Sequence, residues 1–403
     1  MNLPTVVTGF GVWSAAGTSP EALWQSVRLG ESPAAWHQFE GLRAIACVAP
    51  DPGPCPAFPQ VRRMDRSAQL ALAAALPAAA MARLESLDPT RIAVVVGNSR
   101  GPVGLWSTPP ETRVRPTQAA HSAVGSLAGA LSLALRARGP CFLVSATCAS
   151  GAHAIALGHS LLAGGLADAV VAGGAEAPLF RPLLEQFQAA GLLGSDFDPR
   201  RACRPFDASR NGITPGEGAA FLVLERGGEA ARRGQAVLGE LAGCGLAAES
   251  HNRVAARPDG DGLIRATRQA LAAAGLDPTA IAHVNTHGTG TRVNDAAEAA
   301  ALRQVFGGHL ETLPLASTKP VTGHTFGAAA ALEAVLTLQA LREGCAPPTA
   351  GFTIPDPDLA VPGVARVARP IRGDHALSTS LGFWGNAAAL VFRKAVGQIA
   401  SRT

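Results

Sequence analysis

Residues 144–155 read VSATCASGAHAI. An apolar run gives way to small residues, sets Cys148 at the junction, and takes on helical spacing from about Ala149 to Ala163. A strand that hands over to a helix points the junction side chain out of the sheet edge. There the helix N-terminus offers free N–H groups and partial positive charge. Both stabilise a thiolate, so the stretch predicts a lowered thiol pKa. Ala149, Ser150 and Gly151 are small and leave room for a substrate. A buried cysteine that only packs fits the same letters. The stretch alone leaves both readings open, and the rest of the chain has to separate them.

The chain has 403 residues, 47% hydrophobic and 16% charged, a balance that builds a large core and excludes the disordered class. Its 45 glycines and many alanines predict helices packed closely on sheets, and the absence of tyrosine removes one candidate acid. A net charge of +4 without a long Lys/Arg run excludes a nucleic-acid binder but leaves a mildly basic surface for an acidic partner. Cys47, Cys55, Cys141, Cys148, Cys203, Cys244 and Cys345 are odd in number and lack CxxC spacing. They read as reduced thiols, neither a disulfide frame nor a zinc site. With no signal-peptide pattern and no run of 18 apolar residues, the expectation is a soluble, cytoplasmic protein with no membrane contact.

Short apolar runs alternate with Ala/Leu-rich helical spacing along the chain. TVVTGFG (5–11) predicts a strand entering a glycine turn. SPEALWQSVRLG (19–30) predicts a helix capped by Ser19, started by Pro20 and stopped by Gly30. RSAQLALAAALPAAAMARL (66–84) predicts a helix kinked at Pro77. Further strands are expected at 91–97, 140–148, 167–177, 218–226, 237–247, 281–288, 363–368 (GVARVA) and from 376 to 394. Helices are expected at 262–275, 296–306 and 326–341, and a polar connection at 226–236. This predicts α/β architecture, mixed sheets covered by helices on both sides, in two similar halves, 1–240 and 241–403. Two long loops, 98–118 and 247–262, have the length of functional segments.

Three other motifs carry chemistry. NTHGTGT (285–291) ends a strand at His287, where α/β sites sit. A satisfied core histidine fits it too. His283 and His287 are four apart, but strand residues so spaced do not make a metal pair. STKPVTGHTFGAAAALEA (317–334) holds Lys319, His324 and Glu333 in one unit, with Gly323 and Gly327 around the histidine. A lysine there can orient a histidine or hold a carboxylate; a solvated lysine and a capping histidine are the plainer alternative. GNSRG (97–101) fits a hydrolase nucleophile elbow at Ser99, but Arg100 and Pro102 follow and no long helix starts there.

Taken together these motifs resemble the β-ketoacyl-acyl carrier protein synthases, the elongating condensing enzymes of type II fatty acid and polyketide synthesis. The resemblance spans VVTGFGVWSAAGTSPEALWQSVRLGESP, RRMDRSAQLAL, ATCASGAHAI, CRPFDASRNGITPGEGAAFLVLE, the HGTGT…ND segment and STKPVTGHTFGAAAALEA. It implies a thiolase-like, duplicated αβαβα layered fold and a dimer, either of identical chains or with a related ketosynthase-like subunit. It implies decarboxylative condensation of an acyl group held on Cys148 with malonyl-acyl carrier protein. His287 and His324 then act on the malonyl thioester, and Lys319 and Glu333 support the second histidine. Asp295 and Glu298 brace the first histidine motif. Phe383 is the gate, its N–H joining that of Cys148 in an oxyanion hole. Thr289 and Thr291 are implied substrate contacts, as are Arg100 and Trp384. Arg62, Arg63 and Arg204 are implied contacts to the acidic carrier protein. No metal or bound cofactor is implied, since phosphopantetheine belongs to the carrier.

The chain departs from the family at several places. GFWGNA (382–387) puts Trp384 where a glycine is usual, which predicts a stiffer gate or a narrower site. Arg100 stands where apolar side chains usually line the acyl pocket, which predicts a shortened, polar or differently partnered pocket. TRVND (291–295) replaces a proline-containing run, and Val254–Ala255 stand where hydroxyls are usual. These point to a specialised synthase, of polyketide, aryl-polyene or modified chains. The alternative is a catalytically silent, chain-length-determining partner, which usually lacks the nucleophilic cysteine that is present here.

Overall fold

The computed structural model describes residues 4–107 and 116–395, so residues 108–115 of the first long loop lie outside the described residues. The strands in chain order are β1 (Thr5–Ser14), β2 (Ala35–Phe39), β3 (Leu42–Ala46), β4 (Ile92–Gly97), β5 (Cys141–Val144), β6 (Ala169–Glu176) and β7 (Gly218–Arg226). They continue as β8 (Gly239–Ala248), β9 (Ile281–Asn285), β10 (Leu315–Ala316), β11 (Cys345–Ala346), β12 (Arg369–Pro370), β13 (His375–Gly382) and β14 (Asn386–Lys394). Ten of them join in the order β10-β9-β13-β14-β8-β1-β7-β6-β4-β5. The order is a repeat. β1-β7-β6-β4-β5 takes the first, fifth, fourth, second and third strand of its half, and β8-β14-β13-β9-β10 does the same. In each half four strands point one way and one, β7 or β14, runs against them, and the halves meet where β1 pairs antiparallel with β8.

Helices fill three layers around these halves. Helix Arg66–Met81 covers β1, β6 and β7 on one outside, and helix Asp261–Ala274 covers β8 and β14 on the other. Between the halves lie helices Ser150–Ala163 and Ala329–Glu343. The latter is buried from Ala329 to Leu341 because it touches strands of both halves. β7 shows why its sequence is a continuous apolar run. Ala220, Leu222 and Leu224 face the central core, while Ala219, Phe221 and Val223 face the outer one.

Several local expectations hold for stated reasons. Ser19 accepts from the Ala22 N–H, Pro20 opens the helix and Gly30 closes it at φ 71°. Helix Arg66–Met81 runs through Pro77 without a break. That proline lies on the exposed face, and its ring removes one helical N–H donor. Others are corrected. The glycines of TVVTGFG make no turn: β1 continues to Ser14, and β-carbons at Gly9 and Gly11 would lie 2.2 and 2.1 Å from the Ala78 and Ala74 carbonyl oxygens. GVARVA is not a strand. Only Val364, which is buried, makes a bridge, to Leu315; Arg366, Val367 and Ala368 are exposed, so no strand face is buried beyond it. The 226–236 connection contains a short helix, Gly227–Arg232. Among the described residues no helix is long and apolar enough to cross a membrane.

Candidate active site

Cys148 sits in a 3-10 turn, Thr147–Ala149, that feeds helix Ser150–Ala163. Thr147 has φ 52°, a costly backbone for a β-branched residue. Its hydroxyl donates to the Ala146 and Phe383 carbonyls, which ties the Cys148 turn to the segment after β13. At Gly382 a β-carbon would meet the Thr147 hydroxyl at 2.0 Å and the Cys148 nitrogen at 3.0 Å, so the approach demands glycine. Among the described residues neither the Cys148 nor the Phe383 N–H donates to a loop or turn carbonyl. Both residues line one cavity of about 460 Å³.

The thiol itself departs from expectation. Cys148 is 7% exposed, and burial pushes its pKa up to about 12 against the pull of Lys319 and Arg100. Desolvation outweighs the cationic surroundings, so the resting sulfur carries its proton.

His287 and His324 line the same cavity. Their rings are 5.6 Å apart and nearly perpendicular, at 85°. His287 follows β9, and two buried acids hold its loop. Glu298 accepts from the His287 and Gly288 N–H groups, each at 2.7 Å, and from the Thr379 hydroxyl at 2.8 Å. Asp295 accepts from the Thr289, Gly290 and Phe206 N–H groups and faces Arg210. Thr289 and Thr291 line the cavity, their hydroxyls 2.9 Å apart.

His324 is fixed by its backbone, its N–H donating to the Thr214 carbonyl and its carbonyl accepting from Gly216. Gly323 before it has φ 70°, and a β-carbon there would lie 2.8 Å from that of Cys47. The Phe326 N–H donates to His324 Nδ1 at 3.2 Å. Lys319 Nζ donates to His287 Nδ1 at 3.2 Å, to the His287 carbonyl and to Glu333 Oε1. Lys319 and Glu333 therefore hold the first histidine, not the second. Sequence spacing ties them to His324, but the end of β9 comes closer through the fold. With each Nδ1 receiving a donor, each ring keeps its proton on Nε2. Burial and Lys319 lower both imidazole pKa values well below 6.5, which keeps the rings neutral. Burial raises Glu333 to about 7 against the Lys319 charge.

The remaining expected residues scatter. Arg62 and Arg63 are exposed in the 3-10 turn Pro59–Arg63. Arg204 is corrected: it is 6% exposed and bonds Asp196, the Arg201 carbonyl and Ser209, so it does not face a partner. Trp384 is also corrected. Its indole is 66% exposed and does not line the cavity, although its backbone takes φ 63°. Its backbone N–H donates to the Arg253 carbonyl and joins the 382–387 segment to the 247–262 loop. Arg100 is exposed, its guanidinium 5.6 Å from the centre of the Phe187 ring, and it does not line the cavity. Val254 and Ala255 do. His283 bonds the Pro314 carbonyl through Nδ1. The Ser99 N–H donates to Glu176.

Sequence reading missed Glu176. It is buried, accepts from Ser99, Asn98 and Gly327, and so braces the strand ends near Cys148 to the segment after His324. A lone glutamate closing an apolar strand in GGAEA was the available signal.

Comparison with known proteins matches residues 3–230 to "Beta-ketoacyl synthase, N-terminal domain" and residues 238–353 to "Beta-ketoacyl synthase, C-terminal domain". Nodulation protein E of Rhizobium leguminosarum bv. trifolii is 35% identical over 410 residues, 98% of this chain and 100% of that protein. The 3-oxoacyl-[acyl-carrier-protein] synthase 2 of Staphylococcus aureus (strain MRSA252) is 31% identical over 416 residues, 98% of this chain and 99% of that one. The solved ishigamide ketosynthase/chain length factor superposes with a TM-score of 0.88 at 31% identity, covering 98% of this chain and 100% of that chain.

Proposed function

This chain belongs to the β-ketoacyl synthase family, and on that premise we propose that it condenses an acyl group with malonyl-acyl carrier protein, releasing carbon dioxide and a 3-oxoacyl-acyl carrier protein. One observation carries the reading. Two neutral imidazoles, each with Nδ1 already receiving a donor, line the same cavity as Cys148. Each has Nε2–H left to donate.

In the first step the Cys148 sulfur bonds the acyl carbon, the carrier's C–S bond breaks, and the thiol proton passes to the departing carrier thiol. The Cys148 and Phe383 N–H groups stabilise the tetrahedral oxyanion, each donor contributing about 3–4 kcal/mol in comparable sites. Malonyl carrier then enters, and the two Nε2–H groups bond its thioester oxygen. The electrons of the bond to the departing carbon dioxide collect as an enolate that this pair stabilises. Its carbon attacks the acyl-Cys148 carbonyl, and the sulfur leaves and takes up a proton from solvent, which balances the negative charge of the malonyl carboxylate lost as carbon dioxide. Neutral imidazoles suit this work, because as very weak acids they donate hydrogen bonds to the enolate oxygen without giving up their protons. The chain's own residues complete the cycle, with phosphopantetheine arriving on the carrier.

Residues 1–240 bring the cysteine and 241–403 the histidines. Arg62 and Arg63 remain the contacts for the acidic carrier. β5 is the outer strand of the described sheet, and Phe142 on it and Leu133 nearby are exposed. That edge suits pairing with a second copy or a related subunit, as in a specialised polyketide or fatty acid pathway.

Intact-mass measurement after incubation with an acylated carrier protein tests the mechanism. The expected result is one acyl adduct on Cys148, absent in Cys148→Ala, and a loss of carbon dioxide release in His324→Ala. A folded protein that never takes the adduct would be a silent partner subunit. Near-normal carbon dioxide release by His324→Ala would remove the role given to that ring.

A further inference from the structure

Four side chains stand in a column beside the reacting sulfur. The His324 and Phe326 rings lie 4.6 Å apart and 9° from parallel. Phe326 and Phe187 follow at 4.8 Å and 8°. The Arg100 guanidinium caps the Phe187 ring at 5.6 Å. Both phenylalanines are buried with Leu183, Leu184 and Ile213 in the apolar nest that contains Cys148.

The cavity reaches Cys148, both histidines and Phe326, but not Phe187 or Arg100. If the chain is a ketosynthase, that cavity has to admit the prosthetic arm delivering each thioester. The acyl group then needs room elsewhere, and the apolar nest is where the sulfur could place it. There it meets stacked rings instead of a channel. Each methylene that a pocket can bury contributes about fourfold to binding. A filled nest forfeits that gain and requires two packed rings to move. A tail that passed them would meet a guanidinium, which apolar carbon solvates poorly.

We propose that the Phe187–Phe326 stack, capped by Arg100, closes the acyl side of the Cys148 chamber, so that this chain accepts short acyl groups and excludes long ones. Phe326 sets the limit, because it alone of the stack faces both the cavity and the catalytic imidazole. The sequence carries the device openly as the phenylalanine of GHTFG (323–327) and the arginine of GNSRG (97–101). The inference rests on the ketosynthase reading.

The test loads the full chain, with any chain that co-purifies, from a carrier protein bearing acetyl, butyryl, octanoyl or dodecanoyl groups. Adducts on Cys148 are timed by intact mass. Acetyl and butyryl are expected to load at least about tenfold faster than dodecanoyl. Phe326→Leu should raise dodecanoyl loading relative to butyryl by about tenfold. Arg100→Leu, at an exposed position, should raise it in the same direction. Dodecanoyl loading as fast as butyryl in the unaltered protein overturns the proposal. So does an unchanged length profile in both variants. Absence of adducts at every length sinks the ketosynthase reading and this inference with it, an outcome distinct from indifference to length.

Discussion

Lys319 is wholly buried, and an ammonium in that position is costly unless its partners are close. Glu333, the His287 carbonyl and His287 Nδ1 supply them. Lys319→Met leaves the Glu333 carboxyl without a counter-charge and releases the tautomer of His287. The expected cost is about 3–5 kcal/mol of stability, read by urea unfolding, together with loss of carbon dioxide release. Adding Glu333→Leu should restore part of the stability but none of the activity. A double variant no more stable than Lys319→Met would show that the pair is not the source of the loss. The presence of Lys319, His324 and Glu333 in one motif was legible in the spacing. Which imidazole the lysine holds was not, because His287 comes from another strand, 32 positions away. Cys148 teaches the same lesson. Its place at a helix start was readable, but the desolvation that raises its pKa comes from Phe326 and Ile213, far off in the chain.

Glycine pairs do for the two halves what large side chains do elsewhere. Gly9 and Gly11 of β1 let helix Arg66–Met81 lie directly on the strand, and Gly243 and Gly245 of β8 do so for helix Asp261–Ala274. A β-carbon at Gly245 would stand 1.9 Å from the Ala266 carbonyl oxygen, a backbone atom that cannot rotate away. Gly245→Ala should therefore cost about 1–3 kcal/mol or more as helix and strand are forced apart, measured by chemical denaturation. Gly234→Ala meets no heavy atom within 4 Å but has φ 61°, so it reports backbone strain without packing. If the two cost the same, close approach is not what β8 requires. The abundance of Gly and Ala foretold tight helix-on-sheet packing. It did not say which glycines were strand and which turn, and TVVTGFG was misread for that reason.

Across the molecule, buried titratable groups oppose one another in their effect on stability. Burial holds His287 and His324 well below 6.5. The unfolded chain takes up protons there near pH 6.5 while the folded chain does not. Their contribution is present above pH 6.5 and is lost as pH falls. Glu176 and Glu333 are raised from 4.5 to about 7. Their contribution is present below pH 4.5 and is lost as pH rises through about 7. Comparing the chain with His324→Asn cancels the carboxyls and isolates one ring. The stability difference between the two is expected to move against the unaltered chain as pH falls from about 7.5 to 5. A difference independent of pH would mean that the ring titrates as it does in solution. The experiment reads the tertiary structure, because His324 is buried by residues brought from both halves, Thr214 and Gly216 from the first and His287 and Phe326 from the second.

Local chemistry was enough for the alternation of strands and helices, the capped helix at Ser19–Gly30 and the place of Cys148 at a strand-to-helix junction, while the roles expected of Cys148, His287 and His324 came from the resemblance of whole motifs. These depend on residue type and short spacing, which a linear chain displays. The common strand order of the halves, the sharing of Lys319 by His287, the inward pairing of Arg204 and the aromatic column behind Cys148 depend on contacts across tens to hundreds of positions. Such contacts are set by which faces are left to bury once the sheet has formed, and a one-dimensional pattern holds no record of that distance.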